Sequence, residues 1–200
     1  MYFYQKYLET LGEKHYRIKQ IDQALYKEEV NSFLEITSLP LELIKKLDTN
    51  LPFSPLKLVE KQISKDLTEK ALFQTSDKLY LETVLIKHEK NRNTVCVSSQ
   101  IGCPLKCTFC NTAQMGFKRN LTSDEIVAQV LFFKKELTKN KKSLKNVVFM
   151  GMGEPFLNYE AVMQAIEIIN DDKKIAIGSS HITISSCGLI KPIQNFMSEK

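Results

Sequence analysis

Three of the five cysteines in this chain, Cys103, Cys107 and Cys110, fall within the stretch "SSQIGCPLKCTFCNTAQMGF" from Ser98 to Phe117. Thiols at this spacing can converge on one inorganic centre. Structural zinc wants four nitrogen or sulfur ligands, usually as two pairs. Here no fourth partner is near: the nearest histidine is His88, beyond a strand. A three-ligand zinc stays open, as does the use of the cysteines as small buried hydrophobes, although Pro104, Lys106 and Thr108 between them speak against a packed element. A four-iron cubane usually takes one thiolate per iron. Three thiolates would leave one iron for a non-protein ligand, and the amino and carboxylate groups of a methionine derivative can chelate it. A further stretch could bind a ligand: "GMGEP", Gly151 to Pro155. Glycines after a strand let backbone approach a ligand closely, and Glu154 can accept from an ammonium group.

The elements that must position these residues follow from periodicity. Up to about Asn50 apolar residues recur three or four apart, over Tyr2–Leu11, Tyr16–Tyr26 and Leu41–Leu47, with Gly12, Ser38 and Pro40 as punctuation. "NLPFSPLKLVEKQ" reads as a link. "ALFQTSDKLYLETVLI" alternates about a Ser76–Asp77 turn and predicts a hairpin. "KHEKNRN" is a polar turn, and "TVCVSSQ" a strand that feeds the cysteine loop. Thr122 with Glu125 is a capping box that opens a helix. "NVVFM" and "HITIS" are strands, Asn158 is placed to cap "YEAVMQAIEII", and "KPIQNFM" begins a further helix. Strand, loop and helix thus occur three times, which implies a parallel sheet with right-handed crossovers whose third strand carries an open edge.

Composition sets outer bounds. The chain of 200 residues suits one core and a small second domain. It has no apolar run of about 18 residues that would span a membrane, and its start lacks the pattern of a signal peptide. A cytoplasmic location is expected, where clustered thiols stay reduced. The net charge of +5 permits a nucleic-acid partner without demanding one.

Cys103-x3-Cys107-x2-Cys110, with Phe109 before the last cysteine, resembles the radical S-adenosylmethionine signature. In order along the chain, "YRIKQI", "ETVLI", "CVSSQIGCPLKCTFCNT", "GFKRNLT", "EIVAQV", "NVVFMGMGEPFLN" and "ITISSCGL" resemble the dual-specificity 23S rRNA and tRNA adenine-C2 methyltransferases and their C8-methylating relatives. The resemblance implies an α/β fold: an N-terminal helical domain, a short β-hairpin linker and the first half of a partial (β/α)6 radical SAM barrel. The expected divisions are 1–60, an accessory domain of RNA-binding type; 61–93, the linker with the hairpin; and 94–200, an incomplete radical SAM domain.

It also implies a [4Fe-4S] cluster held by Cys103, Cys107 and Cys110, and S-adenosyl-L-methionine held by Gly153, Glu154 and Ser185. Cys96 matches the resolving cysteine and Glu82 the proton acceptor. From the residues alone, Cys96 reads as core and Glu82 as an outward strand glutamate. The implied partners are 23S rRNA, with tRNA as a second candidate, and an external electron donor; no membrane is implied. The reaction implied passes through a methyl-cysteine, whose carrier lies in a C-terminal segment with no counterpart among these residues. The expectation is therefore a C-terminally truncated chain, with a non-catalytic fragment or the RNA-binding half of a split protein as the alternative. C2 versus C8 of adenine is left open. Lys87 stands where the family usually has proline, Cys187 reads as structural, and Lys118 and Arg119 read equally as phosphate contacts or a solvated turn. The six lysines at 134, 135, 139, 141, 142 and 145 read as a solvated helix face, with RNA binding the other option.

Overall fold

The computed structural model describes residues 3–88 and 92–198; Tyr2 and the middle of the polar turn at 87–93 lie outside them. Three helices come first, α1 (Phe3–Thr10), α2 (Tyr16–Tyr26) and α3 (Leu41–Asn50). Each buries the stripe that its periodicity marks. Leu8, Ile21, Leu25, Leu43 and Leu47 meet around Phe33 and Ile36, and Phe33 stacks edge-on with Phe53 at 5.1 Å.

A six-stranded sheet follows, in the order β1-β2-β3-β4-β7-β8. Its strands are β1 (Leu56–Ile63), β2 (Glu69–Thr75), β3 (Tyr80–Ile86), β4 (Asn93–Cys96), β7 (Leu144–Phe149) and β8 (Ile182–Ile184). A separate ladder pairs β5 (Gln100–Ile101) with β6 (Arg119–Asn120). β1 to β4 run antiparallel in sequence, whereas β4, β7 and β8 are parallel. The crossovers are α5 (Ser123–Lys139) and α6 (Tyr159–Asn170), and α7 (Ile190–Ser198) follows β8. The three strand–loop–helix units expected from sequence are all present.

The stretch expected as a link contains β1, so the expected division at 60/61 falls inside a strand. Its side chains are exposed from Lys57 to Ile63, which leaves no alternation to read. Lys57 and Lys61 on this outer strand are of the kind that discourages pairing with another chain. The hairpin β2–β3 continues the same sheet as the parallel strands. Alternation there has a direct cause: Ala71, Phe73, Leu81, Thr83 and Leu85 face α5, whose Val130 and Phe133 are buried. Lys87, the departure from the family pattern, pairs with the buried Glu69.

Two of the six lysines are partly buried. Lys134 pairs with Glu29 and donates to the Tyr26 carbonyl (3.1 Å). Lys135 donates to the Val30 carbonyl and lies 5.1 Å from the Phe53 ring centroid. Together they fasten the helical region to α5. Burial lowers the Lys135 amine to about 8, against the opposing pull of Glu29.

Candidate active site

All three parallel strands end on one side of the sheet, β4 at Cys96, β7 at Phe149 and β8 at Ile184. The loops beyond these ends carry the cysteines, the "GMGEP" turn and Ser185. In parallel α/β sheets this is the side on which ligands bind.

Side-chain alternation places two more candidates. Val95 and Val147 are buried against the helices, so Cys96 and Val148 point to the other face. Cys96 pairs with Val84 on one side and Val148 on the other. Glu82, two residues before Val84, shares that face as the diagonal neighbour of Cys96, roughly 7–8 Å away between backbones. Glu82 pairs with Lys70 (2.9 Å) and is half exposed. Burial pushes the Cys96 thiol up, opposed by a hydrogen bond from the Met150 backbone.

The cysteine loop, residues 102–118, leaves and returns through the β5–β6 ladder. Ile101 faces Arg119 there, and the Lys118 N–H donates to the Ile101 carbonyl (2.9 Å). Its two ends touch. Gly102 has φ +71°, and a Cβ there would lie 1.7 Å from the Gly116 carbonyl oxygen. Cys103, Cys107 and Cys110 are free thiols, each partly exposed. Burial pushes the Cys103 thiol up, and Cys110, Cys107 and Glu154 add to this by their proximity. Backbone N–H groups of Ala113 and Thr112, at the start of α4 (Asn111–Gln114), hold the Cys110 thiol below its ordinary value. Among the described residues no three His, Cys, Asp or Glu side chains meet closely enough to hold one ion. A cubane asks for less convergence, since its thiolates sit on separate irons. Three free, neighbouring, solvent-reachable thiols on one loop fit that donor set.

The "GMGEP" turn is laced to the entrance of this loop. Ser99 and Gln100 N–H donate to the Met152 carbonyl (2.9 and 3.1 Å), and Gly151 N–H donates to the Val97 carbonyl (3.0 Å). Met152 N–H donates to Ser98 Oγ (2.9 Å), and Glu154 N–H to Gln100 Oε1 (2.9 Å). Gly153 has φ +98°, and a Cβ would come within 2.5 Å of Gln100 Cβ. The Glu154 carboxylate is buried and accepts from Phe156 N–H (3.3 Å) and Cys187 N–H (3.0 Å). Each oxygen keeps a lone pair for a further donor. Ser185 is exposed one residue beyond β8. Cys187, expected as structural, is exposed and braces Glu154 through its backbone.

Several residues with structural work at the site escaped the sequence reading. Gln129 is fully buried; it accepts from Thr83 Oγ1 (2.7 Å) and Ser98 N–H (2.8 Å) and donates to the Ser98 carbonyl (3.0 Å). Ser98 Oγ donates to the Glu82 carbonyl (2.6 Å). Asn158 does precede α6, but its side chain makes no cap; it donates to the Ser99 and Leu121 carbonyls (2.8 and 2.7 Å). The signal for this network was the polar run Ser98-Ser99-Gln100 between two apolar elements. Arg119, read equally as a phosphate contact, is engaged with Asp77 and Glu125; Lys118 is exposed.

A model of the radical SAM superfamily matches residues 97–193, the stretch that holds the cysteine loop, the "GMGEP" turn and β8. The probable dual-specificity RNA methyltransferase RlmN of Bacillus velezensis is 44% identical over 195 residues, which are 98% of this chain and 53% of that protein. Its counterpart in Staphylococcus epidermidis is 43% identical over the same shares. The crystal structure of a radical SAM methyltransferase from Sphaerobacter thermophilus matches with a TM-score of 0.90 and 39% identity, over 97% of this chain and 57% of that one. The chain thus spans about half the length of the curated relatives it matches. The cysteine motif and the placement of the loops agree with these likenesses: residues 97–193 match the radical SAM superfamily, and nearly the whole chain is similar to about half of a radical SAM methyltransferase.

Proposed function

We propose that these residues form the cluster- and cosubstrate-binding part of a cytoplasmic radical SAM methyltransferase that modifies C2 of an adenine in 23S rRNA, with tRNA as a second substrate. The observation that carries the reading is the lacing of a three-thiol loop to the "GMGEP" turn at the C-terminal side of three parallel strands. Cys103, Cys107 and Cys110 would hold a [4Fe-4S] cluster. Bound there and reduced by an external donor, the cluster would supply the electron that cleaves S-adenosyl-L-methionine to a 5′-deoxyadenosyl radical.

The chain's own residues do the rest. Glu154 offers its remaining lone pairs to the cosubstrate's ammonium group, beside backbone that Gly153 allows to come close. Ser185 contributes a hydroxyl from the next strand end. Glu82 and Cys96 share the face below. Glu82 serves as the base that takes a proton from the adenine ring, and Cys96, whose burial keeps it a thiol until needed, resolves the protein–RNA adduct. None of the five cysteines is assigned as methyl carrier, so transfer to RNA draws that thiol from elsewhere. The helical region, residues 1–50, is the accessory RNA-binding part.

The test is anaerobic reconstitution with iron and sulfide, expected to give about four irons per chain, followed by reductant and S-adenosylmethionine, expected to release 5′-deoxyadenosine. Cys107→Ala should lose both. Stoichiometric zinc with no iron–sulfur absorbance would overturn the reading.

A further inference from the structure

We infer that Arg119 is a positioning residue for the cluster loop: its guanidinium clamps the loop's exit to the β2–β3 turn and to the first turn of α5. The inference rests on the proposed function for its purpose, and on geometry for its existence. The loop of residues 102–118 holds all three candidate ligands, yet its base is a ladder of only two residue pairs. Such a short ladder is marginal by itself.

Arg119 supplies what the ladder lacks. A guanidinium has five N–H donors in a fixed fork, and here every one is engaged. Nε donates to Asp77 Oδ2 (2.7 Å) and Nη2 to Asp77 Oδ1 (2.9 Å). Nη1 and Nη2 donate to the two oxygens of Glu125, each at 2.8 Å. The remaining Nη1 hydrogen goes to the Asn120 carbonyl (3.0 Å). Two bidentate pairs on one cation fix both position and orientation.

The anchors are themselves held. Glu125 is buried, and its Oε2 also accepts from Thr122 N–H (2.9 Å) in the capping box of α5. Asp77 lies between β2 and β3 and accepts from the Thr75 hydroxyl. The Arg119 hydrogen bond comes first, and the Thr75 bond next, in holding the Asp77 carboxyl far below its usual range. The clamp therefore joins three elements at the point where the loop rejoins the fold. A phosphate would have to displace two carboxylates to reach this cation, which argues against the phosphate-contact reading. Lysine cannot replace it, because an ammonium cannot span two carboxylates with parallel bonds.

The test uses the full chain with Arg119→Lys, Asp77→Asn, and Leu43→Ala as a control that loosens the helical region. Hydrogen exchange is read first on the metal-free protein. Both clamp variants should raise exchange of amides in 100–121 by about tenfold or more, since charged hydrogen bonds are lost locally, with α2 and α3 unchanged; Leu43→Ala should do the reverse. Asp77→Asn retains the Glu125 half of the clamp and so keeps the fold if Arg119→Lys does not. After reconstitution, the clamp variants should show a diminished change in the reduced cluster's electron paramagnetic resonance spectrum on adding S-adenosylmethionine, and Leu43→Ala should not. Wild-type exchange and spectra in both clamp variants would overturn the clamp alone. A wild-type chain that takes up no iron–sulfur cluster would overturn the proposed function and the positioning role with it.

Discussion

Gln129→Leu tests whether the buried amide network, more than apolar packing, holds the site's strands in place. Gln129 is fully enclosed and spends its amide on Thr83 Oγ1, the Ser98 N–H and the Ser98 carbonyl. Leucine fills a similar volume but leaves those three groups without their partner. Each orphaned group costs about 1–3 kcal/mol, and the added apolar burial returns about 1–2 kcal/mol. A net loss of about 1–8 kcal/mol follows, a large part of the 5–15 kcal/mol or so that holds an ordinary domain together. Urea denaturation followed by circular dichroism gives the figure. The cause is then separable by a double mutant. Thr83 is also fully buried, and Thr83→Val removes the stranded hydroxyl, so the pair should be less destabilised than the sum of the singles by about 1–2 kcal/mol. A loss for Gln129→Leu below about 1 kcal/mol, or plain additivity with Thr83→Val, would refute the reasoning, because it would mean that the orphaned groups find water or new partners.

Two further outcomes follow from single positions. Gly102→Ala forces a left-handed residue, at a cost of about 1–2 kcal/mol, and drives its Cβ into the Gly116 carbonyl, so the loop ends must part; iron uptake should fall well below wild type while the helical region keeps its exchange protection. Lys135→Met should remove a pH dependence: the folded amine titrates near 8 against an ordinary 10.5, so the unfolded chain binds more protons between those values and wild-type stability should rise with pH across that window, a rise that urea midpoints of the variant at pH 7.5 and 10 should lack.

The parts of this protein that could be read from sequence are those where one physical demand dominates. α2 keeps its predicted bounds because its apolar stripe has one place to go, and Thr122 and Glu125 form their capping box because the motif is satisfied locally. β1 was invisible because it lies at the sheet's outer edge and buries almost nothing along its length. Asn158 was read as a cap because that is its usual use; the fold gives it two carbonyls from other loops. Lys134 and Lys135 look like any solvated pair until the helical region docks on them. For Asn158 and the two lysines the partner is far away in sequence, more than a hundred residues for the lysines.

The same division explains how the candidate site is built. The residues proposed to carry the chemistry, Cys103, Cys107, Cys110 and Glu154, sit in short contiguous motifs, since a ligand must be met by groups on one or two loops. The residues that aim them do not. Gln100 takes the Glu154 N–H across 54 positions of chain, Gln129 ties β3 and Ser98 to α5, and Arg119 reaches back to Asp77. The two glutamines substitute for backbone partners where strands give way to loops and the sheet ladder can no longer satisfy every N–H and C=O, whereas Arg119 joins two carboxylates. The site thus follows from the fold's own need: the strands must end, their last polar groups must be paired, and the side chains that pair them draw the three-thiol loop and the "GMGEP" turn against each other.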